Sequence, residues 1–145
     1  MISFVKGDIF LSDCVALVNP VNCVGVTGAG LAAQFRVRFP GNDHEYKKDC
    51  DAGIVVPGFI TIHQDRGRTI LNFPTKRHWS NKSLLPDIID GLEYLRGLLV
   101  LHKIPSVGLP PVGCGLGSLD WKLVRPEIER LLGDLETKVV AYEPR

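Results

Sequence analysis

The chain has 145 residues, 45% of them hydrophobic and 23% charged, with 17 Lys and Arg against 16 Asp and Glu. That composition excludes a disordered chain and predicts one compact domain, residues 1–145, able to bury a core without disulfides or metals. A net charge of +1 sets up no field strong enough to hold nucleic acid by counterion release alone, so any nucleic-acid contact has to be local.

Ile2–Val5 reads as a short strand, and the valine-rich run 14–19, ending at Pro20, as a second. After the glycine-rich stretch 25–30, Leu31, Phe35 and Phe39 follow helical spacing until Pro40 stops the helix. Residues 42–50 predict a short polar helix. Residues 59–64 and 69–73, separated by Asp65, Arg66 and Gly67, predict a hairpin. Between residues 84 and 103, Leu85, Ile88, Ile89, Leu92, Leu95, Leu98 and Leu99 recur at helical period, with Ser83 in the N-cap position. A strand at 107–109 then runs into Pro110 and Pro111. A second glycine-rich loop at 113–117, a helix from about Trp121 to Leu132 and a closing strand Lys138–Tyr142 complete the pattern. Strands alternate with helices, over crossovers too long for hairpins, so the expected class is α/β with a mixed, mostly parallel sheet covered on both faces.

Cys14, Cys23, Cys50 and Cys114 form no C-x-x-C pair and no metal spacing with the four histidines; reduced thiols and no metal site are expected. The opening MISFVKGD is not a basic segment leading into an apolar run, and nowhere are there eighteen unbroken apolar residues. The expectation is a cytoplasmic chain, neither secreted nor membrane-spanning.

Two segments follow a predicted strand and precede a predicted helix: Asn22-Cys23-Val24-Gly25-Val26-Thr27-Gly28-Ala29-Gly30 and Gly113-Cys114-Gly115-Leu116-Gly117. Beyond the carboxyl ends of parallel strands, helix N-termini point unpaired N–H groups at anions, and glycines let the backbone come close. Together the two loops could wrap a diphosphate without a lysine; each alone could equally be a plain turn. Neither ends in G-K-[ST] nor has G-x-G-x-x-G spacing, which disfavours a nucleoside triphosphatase and a dehydrogenase.

The order Lys6-Gly7-Asp8-Ile9, Val18-Asn19-Pro20-Val21-Asn22, Gly28-Ala29-Gly30 and Pro110-Pro111-Val112-Gly113-Cys114-Gly115-Leu116-Gly117 resembles macrodomains over nearly the whole chain. Asn72-Phe73-Pro74-Thr75-Lys76-Arg77-His78-Trp79, followed by Gly115-Leu116-Gly117-Ser118-Leu119-Asp120-Trp121, is more specifically similar to the macrodomains of DNA ADP-ribosyl glycohydrolase antitoxins. The resemblance implies a three-layer α/β/α sandwich that binds ADP-ribose, with no cofactor. Asp8 would accept from the adenine amino group and the Ile9 backbone would support the ring. Asn22 would lie by the distal ribose. Thr27, Gly28, Ala29, Gly30 and Leu31 would hold one side of the diphosphate, Gly113 to Gly117 the other, with Thr75 beside them. Taken alone, Asp8 is also consistent with an exposed turn aspartate after Gly7.

The resemblance makes Lys76, with Asn22, the catalytic pair, because related glycohydrolases require a lysine in this Thr-Lys context. Lys76 could attack the anomeric carbon or stabilise departing negative charge; as a residue by itself it could be a solvated loop cation. Relatives that cleave carboxylate esters add an aspartate where this chain has Gly117, whereas the DNA-directed branch also carries glycine there. Many of that branch have methionine and lysine where Thr27 and Ala29 stand here. Asp120 is expected only to cap the helix at Trp121. Arg77, His78, Trp79 and Lys82 combine cations with an aromatic surface, as single-stranded nucleic-acid sites do; Trp79 could instead pack on the sheet. The expected activity is removal of ADP-ribose from thymidine in single-stranded DNA by a monomer that opposes a toxin-like ADP-ribosyltransferase. The alternatives are an ADP-ribose reader without turnover and a hydrolase of ADP-ribose esters or small derivatives.

Overall fold

The computed structural model describes residues 1–145. Six strands, β1 (Ile2–Val5), β2 (Ala16–Asn22), β3 (Thr61–Asp65), β4 (Arg68–Lys76), β5 (Ser106–Leu109) and β6 (Lys138–Tyr142), form one sheet in the order β1-β6-β5-β2-β4-β3. All neighbours are parallel except β3 and β4, the mixed sheet that the alternation of elements predicts. Helices α1 (Gly30–Arg38) and α2 (Pro40–Asp51) cover one face; α3 (Leu85–Leu101) and α4 (Trp121–Leu132) cover the other.

Strand β2 shows why two covers are needed. Ala16 and Val18 enter a core shared with Leu92, Leu95 and Leu99 of α3 and Val124, Ile128 and Leu132 of α4. Leu17 packs on the opposite side with Phe35 and Phe39, and Val21 with Tyr46 of α2. Successive strand side chains point to opposite faces, so a strand apolar on both has to be buried on both. Gly91 lets α3 lie against Phe73 of β4: a Cβ at that position would come within 2.3 Å of the ring.

Several boundaries differ from expectation for local reasons. Strand β2 continues through Pro20 to Asn22 because its ladder with β5 covers only Ala16↔Val107 and Leu17↔Gly108, leaving no β5 partner at the residue that lacks an N–H. Pro40 stops α1 and also opens α2 at the N-terminal position that suits proline, so α2 starts before residue 42. The hairpin turns on Arg66 and Gly67 alone, with φ of 50° and 80°, the paired left-handed residues of a two-residue turn; Asp65 therefore pairs with Arg68, and β4 runs on to Lys76. Ser83 does not cap α3. The N-cap is Leu84, without a side-chain cap bond, and the helix ends at Leu101. Asp120 does cap α4, accepting from the Lys122 N–H at 2.9 Å. No helix is long and apolar enough to cross a membrane, and all four cysteines are free.

Candidate functional site

The carboxyl ends of β5, β2 and β4 lie side by side, and a cleft of about 510 Å³ opens above them, where open α/β sheets take their ligands. It is lined by Pro20, Val21 and Asn22 of β2, by Val26 and residues 28–32, by Thr75, Lys76 and Trp79, and by Pro110, Pro111, Gly113, Gly115, Leu116 and Gly117. Lys76 is the single charged residue among these; no carboxylate faces the cleft.

Asn22 organises the first loop. Its Oδ1 accepts from the N–H groups of Val24 and Val26 at 3.1 and 3.3 Å, while its Nδ2 donates to the Val26 carbonyl at 2.7 Å. Tyr46 of α2 donates its hydroxyl to the Asn22 carbonyl at 2.7 Å, and burial, with Cys50 beside it, pushes that hydroxyl well above the usual phenol range. Thr27 is buried and donates to Asp43 at 3.0 Å, tying the loop to α2. The second half of the loop is different. Ala29 caps α1 with no side-chain oxygen, and the amides of Gly28, Ala29, Gly30, Leu31 and Ala32 donate to no protein acceptor while lining the cleft.

The second loop presents a matching row. The Gly113 carbonyl accepts from Leu119 N–H at 2.9 Å and the Gly115 carbonyl from Ser118 N–H at 3.1 Å, yet the amides of Gly113, Gly115, Leu116 and Gly117 have no protein acceptor. Gly113 has φ of 81°, and a Cβ on it would lie 2.8 Å from Leu119, so only glycine follows this path without strain.

Lys76 ends β4 at the rim of the cleft and donates to the Trp79 carbonyl at 3.1 Å. Trp79 is 55% exposed and lines the cleft rather than packing on the sheet; His78 lies against it at 5.2 Å between ring centroids. Arg77 makes a two-pronged pair with Asp87 in the first turn of α3, 3.0 and 3.1 Å, which holds its guanidinium above the ordinary value. Lys82 is exposed and, like Arg77 and His78, does not line the cleft.

The structure thus brings together Asn22, Gly28, Ala29, Gly30, Leu31, Thr75, Lys76, Trp79 and four of the five second-loop residues. It places Thr27 and Cys114 in the loops but not on the cleft surface. Cys114 is half-buried, and burial, with Asp120 nearby, raises its thiol to about 11. Asp8 and Ile9 follow the carboxyl end of β1, at the same end of the parallel strands, but do not line the cleft: the Asp8 carboxylate accepts from Phe10 N–H at 2.9 Å and Ile9 is buried. Sequence reading missed Tyr46, Asp43 and Asp87, each a brace supplied from a helix packed beside the segment it holds.

A family model for the Macro domain matches residues 18–128. The chain belongs to this family. The macrodomain is 41% identical to a DNA ADP-ribosyl glycohydrolase of Thermus aquaticus, over 99% of this chain and 41% of that protein; it spans about two fifths of that relative's length. The solved macrodomain of Thermus aquaticus DarG superposes with a TM-score of 0.95 at 40% identity, covering 99% of both chains. Thermosipho africanus DarTG, solved in complex with ADP-ribose, matches with a TM-score of 0.92 at 34% identity, over 99% of this macrodomain and 41% of that chain.

Proposed function

We propose that this macrodomain binds ADP-ribose in the cleft and hydrolyses the glycosidic bond that joins it to thymidine in single-stranded DNA, undoing the work of a DNA ADP-ribosyltransferase. The observation that carries the reading is the pair of facing loops whose unpaired amides, at residues 28–32 and at Gly113, Gly115, Leu116 and Gly117, line one cleft with a single cation, Lys76. Oriented N–H groups at a helix N-terminus favour a diphosphate, and no carboxylate opposes it. Similarity to relatives named for this activity supports the same reading.

In the proposed reaction a water oxygen forms a bond to the anomeric carbon of the distal ribose as the bond to the base nitrogen breaks. The electron pair leaves with the base, which takes up a proton, while the attacking water gives up one to solvent, so that free ADP-ribose and unmodified thymidine result. Lys76, the one cation at the rim, stabilises that departing charge. Asn22, fixed by three hydrogen bonds between its side chain and the loop backbone, keeps one amide N–H free for the distal ribose, and the loop amides fix the phosphates so that the anomeric carbon is presented to Lys76. Trp79 offers its exposed ring to the acceptor base, a contact worth about 1–3 kcal/mol; Arg77, His78 and Lys82 flank the path of the strand. Asp8 and the Ile9 backbone receive the adenine end.

The test is a substrate panel: a single-stranded oligonucleotide carrying ADP-ribose on thymidine, a protein carrying it through a carboxylate ester, and ADP-ribose itself by calorimetry. Release of ADP-ribose and unmodified oligonucleotide is the expected result. Binding without release from either substrate would make the domain a reader, and release from the ester alone would move the acceptor to protein.

A further inference from the structure

Ser83 is 4% exposed and its hydroxyl has no hydrogen-bond partner, an unfavourable state that folded proteins seldom keep without a use. It stands one residue before the N-cap of α3, one position too early for its hydroxyl to cap the first helical amides. Instead Leu84 occupies the cap, and the Ser83 N–H donates to the Gly117 carbonyl at 3.0 Å. The side chain is pressed against the second glycine loop. A Cβ on Gly117 would lie 2.1 Å from the Ser83 Oγ and 2.6 Å from the Gly113 carbonyl oxygen. The hydroxyl and that carbonyl therefore flank one small space beneath the loop. The carbonyl already accepts from Leu119 N–H and retains a second lone pair.

We propose that Ser83 is a positioning residue of the second glycine loop: its hydroxyl, unpartnered in the free protein, donates to the Gly113 carbonyl when the loop draws in around a bound diphosphate. Ser83 also ends the segment that begins at Lys76, so the contact ties the cation and the loop amides into one frame. The same contact requires glycine at 117, because any side chain there would displace the hydroxyl. This inference rests on the cleft being an ADP-ribose site.

The experiment compares the native chain with Ser83→Ala and Ser83→Cys in thermal melts, in calorimetry with ADP-ribose, and in hydrogen exchange with and without ADP-ribose. In Ser83→Ala the free protein should melt at the same temperature or higher, since an unpaired buried hydroxyl has been removed. Its affinity should fall about 3- to 10-fold, the worth of one hydrogen bond, and ligand-induced protection of residues 113–118 should be lost while that of residues 28–32 persists. Ser83→Cys, with a weaker donor of similar shape, should fall between. Affinity and protection unchanged in Ser83→Ala would overturn the inference, as would a parallel loss of melting temperature and binding, which marks a merely structural role. A native chain that does not bind ADP-ribose would instead sink the reading of the cleft itself, and this inference with it.

Discussion

The two glycine loops meet across the cleft, where a Cβ on Gly30 would touch Leu116 at 3.3 Å, yet they are held by opposite means. The first is braced by polar side chains: Asn22 gathers its turn, Tyr46 holds the Asn22 carbonyl, and Thr27 is anchored on Asp43. The second is braced by the absence of side chains, with Gly113 fitted under Leu119 and Ile88 and Gly117 against Ser83 and the Gly113 carbonyl. Both arrangements leave a row of amides without protein acceptors. A loop held by side chains is weakened by removing atoms, and a loop held by close backbone approach is weakened by adding them.

Gly117→Ala should therefore have the largest effect on loop integrity. Its methyl overlaps a backbone oxygen that cannot rotate away, so we expect a loss of about 3 kcal/mol in denaturant melts, at the upper end for overpacking, and ADP-ribose affinity at least about tenfold weaker. Asn22→Ala tests the first loop by deletion: it orphans the Val24 and Val26 amides, and a loss of about 2 kcal/mol is expected, with hydrogen-exchange protection lost at Val24 and Val26 but kept at Cys114 and Ser118. Equal loosening of both loops would break the contrast. The smallest effect concerns the thiols. Burial, with Cys50 adding to it, raises Cys23 to about 11, and Cys114 rises to about the same value. Both are thus protonated and slow to alkylate near neutral pH, and rates followed by mass spectrometry should climb only toward pH 11. Because the folded thiols hold protons more tightly than unfolded thiols near 9, their contribution to stability is intact below pH 9 and declines as pH rises from 9 to about 11.

Much of this was legible from local chemistry. Arg66-Gly67 dictates its turn, Asp120 its cap, and the period of 85–99 its helix, because in each case the deciding partner is a few residues away. The positions of Gly28 to Leu31 and Gly113 to Gly117 at the ends of parallel strands also follow from the order of elements. The bracing was not legible: Tyr46 lies 24 residues from Asn22 and Asp43 lies 16 from Thr27, and only the packed fold brings them together. Ser83 is the instructive failure. Its residue type and place before a helix predict a cap, but Leu84 takes that position and the hydroxyl turns to Gly117, a choice set by a loop over thirty residues further on.

The most direct measurement of the central claim is single-turnover release of ADP-ribose from thymidine-modified single-stranded DNA by the native chain and by Lys76→Ala, with ADP-ribose binding measured on both. Lys76→Ala should reduce the rate by about 10²–10³, in the range found when one charge-stabilising group is removed, with affinity for ADP-ribose within about threefold of native, because the loop amides and not the lysine hold the diphosphate. A variant that still turns over at the native rate, or one that loses binding and turnover together, would contradict that claim.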